Sequence, residues 1–518
     1  MRALALVLVA GLFAAACGQQ ANNSGGVSKH GGTLHVAIGI DPDTMDPMRQ
    51  TTTTVQNIVD MVAEPLVTID EKGAVKPLLA EKWDVSGDGL QYTFTLRTGV
   101  KFHDGTPFNA QAAKTSFDRI LDPKNTVPLR GILNQIASTA AVDDSHFKIT
   151  LKAKLASIIS ALTQTSAAIL SPQSLTAAGN TYAQAENVVG TGPYKLKSRT
   201  KGDRVTLVKN DAYWGTKPNY DVQEFKVVPE AASREALVRS GQADMIILPP
   251  VADIPALQSN SSLKVLVAPS DRTIFIAVNT VSPDQPLLQK PQVRQALNYA
   301  VDKKAIIKSV LFGAADPLDA PAASSLLGYC KAGSYEHNPS KAKSLLEQAG
   351  AAGMSVKLMS PTGRYIQDIQ AANAIAGNLR EVGIKVEGPA TSDWPSYLGT
   401  INVPPPGTAQ LHLLGWAPGY LDAQQQMEQF YSQRQPPKGL STSYYTNPAV
   451  DQLIGKANSE SDTGARKKDY CDAEKQIWND APWIFLWTQK FPIVYSNKVT
   501  GIGSFPTEKF NTVYAQPA

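Results

Sequence analysis

An excess of charge of one sign is nearly absent. The 518 residues carry 49 basic and 45 acidic side chains, a net charge of +4, with the two signs mixed along the chain. Nucleic-acid binders gather Lys and Arg into a patch or stripe, so that class is excluded. Histidine is scarce as well. The six copies (His30, His35, His103, His146, His337, His412) never stand four apart or beside a second cysteine, and zinc-site spacing is missing. No G-x-S-x-G nucleophile turn and no G-x-x-x-x-G-K phosphate loop occurs. Gly501-Ile502-Gly503 lacks the third glycine of a dinucleotide loop, because Pro506 holds that place. Ser261-Ser262-Leu263-Lys264 and Ser340-Lys341-Ala342-Lys343 fit S-x-x-K, but neither has the K-T-G partner that this chemistry needs. Asp143-Asp144 reads as a solvated turn. No catalytic residue, no metal site and no cofactor is expected, so the chain reads as a non-enzyme.

Long apolar runs are missing after the first residues. Met1-Arg2 precedes an almost unbroken apolar stretch from Ala3 to Ala16, too short to span a bilayer, which needs about 20 residues. It has the form of a secretory signal. Its end, Phe13-Ala14-Ala15-Ala16-Cys17-Gly18, resembles a bacterial lipoprotein signal. That resemblance implies a signal over 1–16, a diacylglyceryl group on Cys17, and a Gly, Ser, Asn and Gln-rich tether over 17–32. The expected location is extracytoplasmic, on the outer face of the cell membrane or in the periplasm, held by lipid alone. Acylation of Cys17 leaves Cys330 and Cys471 as a pair that an oxidising compartment permits to join. Two separate buried thiols is the alternative.

What is plentiful is core material. With 43% hydrophobic residues the chain can offset its ordering entropy, and at about 100–200 residues per domain its length predicts two to four domains or lobes. Strand and helix patterns alternate from Gly32 onward. Leu90, Tyr92, Phe94 and Leu96 alternate with polar residues, and Phe147, Ile149 and Leu151 repeat the period of two. Glu230 to Ser240 reads as a helix stopped by Gly241, and Asn338-Pro339 and Asn447-Pro448 supply helix starts. Strand-like Ser355–Met359, Ile384–Val386, Leu411–Leu414 and Trp483–Trp487 fall between helices. The alternation predicts an α/β protein with several sheets.

One stretch is specific. Leu79-Ala80-Glu81-Lys82-Trp83-Asp84-Val85-Ser86-Gly87-Asp88-Gly89-Leu90, continuing through Tyr92-Thr93-Phe94 to Phe102-His103-Asp104-Gly105, resembles the signature of family 5 extracellular solute-binding proteins, the dipeptide and oligopeptide receptors of ABC importers. Gly190-Thr191-Gly192-Pro193-Tyr194, Asn210 with Tyr213-Trp214-Gly215, and Ser240-Gly241-Gln242-Ala243-Asp244 match further elements in order, as do Val293 to Leu297, Lys341 to Gly350 and Ala481-Pro482. The resemblance implies a bilobed periplasmic-binding-protein-like fold with two hinge crossings and an extra subdomain in the N-terminal lobe. On this chain lobe I takes 33–53, its extra subdomain 54–187 and its second part 188–279; lobe II takes 280–482 and lobe I closes over 483–518. Crossings are expected near Asn279 and Pro482. The implied partners are a peptide or other small solute and an ABC permease with its ATPase, bound by a monomer.

The cleft motif of that family, W-x-x-D-x-x-D-P, resembles Trp416-Ala417-Pro418-Gly419-Tyr420-Leu421-Asp422-Ala423. The resemblance implies that Trp416 packs on the ligand. Gly419 replaces the Asp that pairs with a peptide ammonium, Asp422 fits the second Asp, and Ala423 replaces the Pro. The candidate ligand contacts are Trp416, Gly415, Ala417, Tyr420 and Asp422, with Asp41 after the first strand and Trp487 in a late one. Oligopeptides are the expected cargo; a nickel complex, haem, a sugar or another small molecule is the alternative on the same fold. An exported hydrolase, the alternative of another class, finds no nucleophile and base in the chain.

Overall fold

The first strand, Thr33–Ile38, buries Leu34, Val36, Ala37 and Ile38 almost completely, as a strand covered on both faces does. It lies inside a seven-stranded sheet, parallel to Val222–Val227 on one side and to Met245–Ile247 on the other. The order across this sheet is 263–268, 491–496, 245–247, 33–38, 222–227, 204–209 and 194–200. The computed structural model describes residues 31–42, 44–50, 52–125, 127, 130–178, 188–392 and 394–518. The signal, Cys17 and most of the tether lie outside the described residues.

The period-two pattern forms the extra subdomain. Ala80–Val85, Gln91–Leu96, His146–Leu151 and Ile136–Ala141 make an antiparallel sheet, in which Phe94 stands opposite Phe147. Helix Ala110–Leu121 packs its Phe117 on that pair. The motifs shared with the receptor family converge beneath it on a buried carboxylate. Glu64 accepts hydrogen bonds from Thr191 Oγ1 at 2.7 Å, Tyr213 Oη at 2.7 Å and Trp214 Nε1 at 3.0 Å. Burial raises the pKa of Glu64, and these donors oppose the rise. Gly190 and Gly192 press so closely on this segment that an added Cβ would stand 2.2 Å from Val62 O and 2.4 Å from Met61 O. These motifs build the lobe around Glu64.

A six-stranded sheet forms the second lobe, in the order 315–317, 483–489, 273–278, 411–416, 355–361 and 385–392. Its strands alternate between two cores: Ile274, Ile276 and Val278 face one, Phe275 and Ala277 the other. The helix starts lie where the residues place them. Asn338 accepts from Lys341 N, and Asn447 from Ala449 N and Val450 N, each followed by proline at the first helical position. Helix Ala231–Ser240 ends at Gly241, whose φ of 74° suits glycine.

The chain crosses between the large sheets at places other than Asn279 and Pro482. Thr273–Val278 and Trp483–Gln489, assigned by resemblance to lobe I, pair with each other inside the second sheet. The passages are therefore 269–272 and the single residue Lys490. Both segments are continuous apolar runs, a pattern that marks a buried strand without saying which sheet takes it. Cys330 and Cys471 also lie in the second lobe, with sulfurs 1.99 Å apart. The bond ties the loop before helix Pro339–Gln348 to helix Thr463–Asp480.

Candidate solute-binding cleft

Strand Leu411–Trp416 ends at the junction of the lobes, where Thr273 Oγ1 donates to the Trp416 carbonyl at 3.3 Å. Trp416 and the following Tyr420 line a cavity of about 470 Å³ whose opposite wall is Arg130, Ile132 and Gln164 of the first lobe. That volume falls within the range of small-molecule sites. Tyr420 reaches across: its ring is 1% exposed and belongs to the first lobe's hydrophobic core. Ala156 N of the first lobe donates to Asn458 O of the second at 3.1 Å, so the lobes are in contact around the cavity.

The other candidate residues do not gather here. Asp422 is fully buried and bound by both Nη atoms of Arg466, at 2.6 and 2.7 Å. Its Oδ1 also accepts from Gln424 N at 2.9 Å, capping helix Ala423–Met427. It is a structural ion pair and cap with no face toward the cleft. Trp487 is 2% exposed in the second lobe's core. A register shift between Ile274 and Phe275 turns it to the same side as Leu486. Asp41 accepts from Gly202 N at 2.9 Å and lies 4.0 Å from Arg199, away from the cavity. Gly415 supports the site from behind: a Cβ there would meet Tyr365 Cε1 at 2.7 Å, and its carbonyl accepts from Tyr365 Oη at 3.2 Å. Ala417 is half-buried and does not line the cavity.

Several lining residues carry no family motif. Glu428 accepts from Gln424 Nε2 at 2.9 Å and stands 3.4 Å from Arg434. Burial raises its pKa, and Arg434 and Gln424 oppose the rise. Lys438 adds another cation to the same wall. Gly419, where the family Asp is missing, faces a second cavity of about 400 Å³ that Asp60 and Lys509 also line. A Cβ at Gly419 would have only ordinary contacts, 3.6 Å from Gln164 Oε1 and 3.7 Å from Gln425 Oε1, so the place of that carboxylate is left open.

The passages between sheets hold a buried polar cluster. Arg272 donates from Nε and Nη2 to Glu508 Oε2, at 2.8 and 2.6 Å. Asp271 beside it is fully buried, and neither carboxylate oxygen has a hydrogen-bond partner among the described residues. Burial holds its pKa well above the usual carboxylate range; Glu508 adds to the rise and Arg272 opposes it.

Residues 74–438 match the family described as bacterial extracellular solute-binding proteins, family 5. The chain is 30% identical over 480 residues to the glutathione-binding protein GsiB of Pectobacterium atrosepticum, covering 92% of each. It superposes on the ABC transporter-associated periplasmic binding protein DppA from Helicobacter pylori, solved with the peptide STSA, with a TM-score of 0.83 and 26% identity over 95% of this chain and 99% of that one. NikZ from Campylobacter jejuni, solved with Ni(L-His), matches with a TM-score of 0.76 and 25% identity over 91% and 96%. An inter-lobe cavity on this architecture agrees with those matches. The chain belongs to the family 5 extracellular solute-binding proteins, extracytoplasmic solute receptors of ABC importers that bind without chemistry.

Proposed function

We propose that the chain captures a short peptide between its lobes and delivers it to an ABC permease, tethered to the membrane by lipid on Cys17. The observation that carries this reading is that both lobes line the cavity at Trp416. A solute touching both walls favours the closed arrangement over an open one by its differential contacts, which is how a binding event becomes a shape that a permease can read. The indole offers an apolar face that tolerates varied side chains, and backbone amides of a peptide are fixed by polar groups around it. The relatives support cargo of this size, since one is named for glutathione and another holds a peptide. The anchor rests on the small residues before Cys17 and the polar stretch after it.

Uptake tests the reading. Cells lacking the chain should lose import of labelled glutathione or of a labelled tripeptide, and regain it with the wild-type chain but not with Trp416→Ala. Unchanged uptake of both in the deleted cells would count against it. Replacing Cys17 with Ser should move the protein out of the membrane fraction or leave its precursor uncleaved; unchanged fractionation would remove the anchor from the account.

A further inference from the structure

The cleft's orphaned polar atoms are of one kind. Trp416 Nε1, Gln164 Nε2 and Arg130 Nε are all buried, all line the same cavity, and none has an acceptor among the described residues. Buried donors are almost always satisfied, so three around one cavity, two from the first lobe and one from the second, call for acceptor oxygens from a ligand. Arg130 is held in place for this. Its Nη2 donates to the carbonyls of Asp122 at 2.8 Å and Asn125 at 2.6 Å, while Nε has no partner among the described residues.

The charges repeat the pattern. Arg130, Arg434 and Lys438 line the cavity against a single carboxylate, Glu428. Arg434 is engaged with Glu428 at 3.4 Å. Arg130 and Lys438 have no carboxylate partner among the described residues. An ammonium group fits only at Glu428, whereas carboxylates have the cations Arg130 and Lys438 and the further orphaned donors of Gln164 and Trp416 to meet them. Arginine in particular matches a carboxylate with a planar pair of donors.

We infer that this cleft selects net-anionic solutes: a short peptide or peptide-like conjugate with one ammonium group, placed at Glu428, and at least two carboxylates, placed at Arg130 and Lys438. The inference rests on the reading of this cavity as the solute site. It deepens that reading by naming the charge class of the cargo.

Calorimetric titration of the full chain with Ala-Ala-Ala, Ala-Glu-Ala and Ala-Lys-Ala tests it, because the three differ by one charged side chain. Ala-Glu-Ala is expected to bind at least tenfold tighter than Ala-Ala-Ala, Ala-Lys-Ala weaker than both, and the advantage of Glu to shrink as salt rises. In Lys438→Gln, at an exposed position, the advantage should fall to threefold or less, with thermal unfolding unchanged. Arg434→Gln provides a second variant with the same expected direction. Equal affinities for the three peptides, or a preference for Ala-Lys-Ala, would overturn the charge inference and leave the peptide receptor standing. Binding of none of them, nor of reduced glutathione, would overturn both.

Discussion

Arg466 grips Asp422 with both Nη atoms, 2.6 and 2.7 Å from its two carboxylate oxygens, in a place closed to solvent. The same guanidinium donates from Nε to the Ala457 carbonyl and from Nη2 to Tyr470 Oη. The pair joins the cleft loop to helix Thr463–Asp480, and so fixes where Trp416 and Tyr420 stand without touching the cavity. Removing one partner of a buried pair leaves a charge without compensation and costs about 3–5 kcal/mol. Asp422→Ala should therefore lower unfolding stability by that order while the folded protein retains its ligand. Denaturant unfolding together with calorimetry on the folded fraction checks both halves. A stable Asp422→Ala protein that has lost binding would make Asp422 a ligand contact after all.

With glycine at 419, Glu428 is the carboxylate proposed to hold a peptide ammonium. A hydrogen bond to a charged group contributes about 1.5–3 kcal/mol, roughly ten- to a hundredfold in affinity. N-acetylation of Ala-Glu-Ala should weaken binding to the wild type by at least tenfold, and binding to Glu428→Gln by no more than threefold. A penalty that survives in Glu428→Gln would place the ammonium elsewhere, beside Asp60 in the neighbouring cavity as the next candidate.

Asp271 carries a pH signature. Its folded-state pKa is raised by burial, so between the unfolded and folded values the folded chain holds the extra proton. Stability from this group is full below about pH 3.9, its unfolded value, and is lost as pH rises through the folded pKa. Asp271→Asn removes the ionisation while keeping the shape. It should raise the melting temperature at pH 7–8, change it little at pH 4, and flatten the decline between them. A parallel shift at every pH would show that the carboxylate does not titrate in this way.

The Cys330–Cys471 bond closes a separation of 141 residues. The chain-entropy relation gives about 5 kcal/mol for a loop of that length, and measured values commonly fall below it. Peptide mapping without reductant should recover the linked pair. Cys330→Ser with Cys471→Ser should lower the melting temperature of the second lobe. Two freely alkylatable thiols in exported protein would contradict the bond.

How far the residues announced all this depends on how local each feature is. The subdomain sheet was legible because its alternation is complete within single strands, from Tyr92 to Leu96 and from Phe147 to Leu151. Trp416 was legible through a contiguous motif. The role of Asp422 was not, because Arg466 stands 44 residues away and nothing in the motif points to it. Glu64 went unseen for a similar reason: its donors lie 127, 149 and 150 residues onward. Arg130 and Gln164 belong to the other lobe, more than 250 residues before Trp416 in the chain, and only the fold brings them opposite it. Trp487 shows the converse. An aromatic residue at the end of a strand near a crossing looks like a cleft contact, and one bulge in the ladder turned it into the core.

The central claim is that solute is held against Trp416 between the lobes. Its most direct test is a calorimetric titration of wild type and Trp416→Ala with reduced glutathione and with Ala-Glu-Ala, alongside melting curves of both proteins. Trp416 is half-buried at a strand end beside the cavity, so its truncation should spare the fold. The account predicts binding of at least one of these solutes by the wild type, weakened tenfold or more in Trp416→Ala, with little change in melting temperature. Equal binding by the two proteins, or no binding of either solute by the wild type, would contradict it.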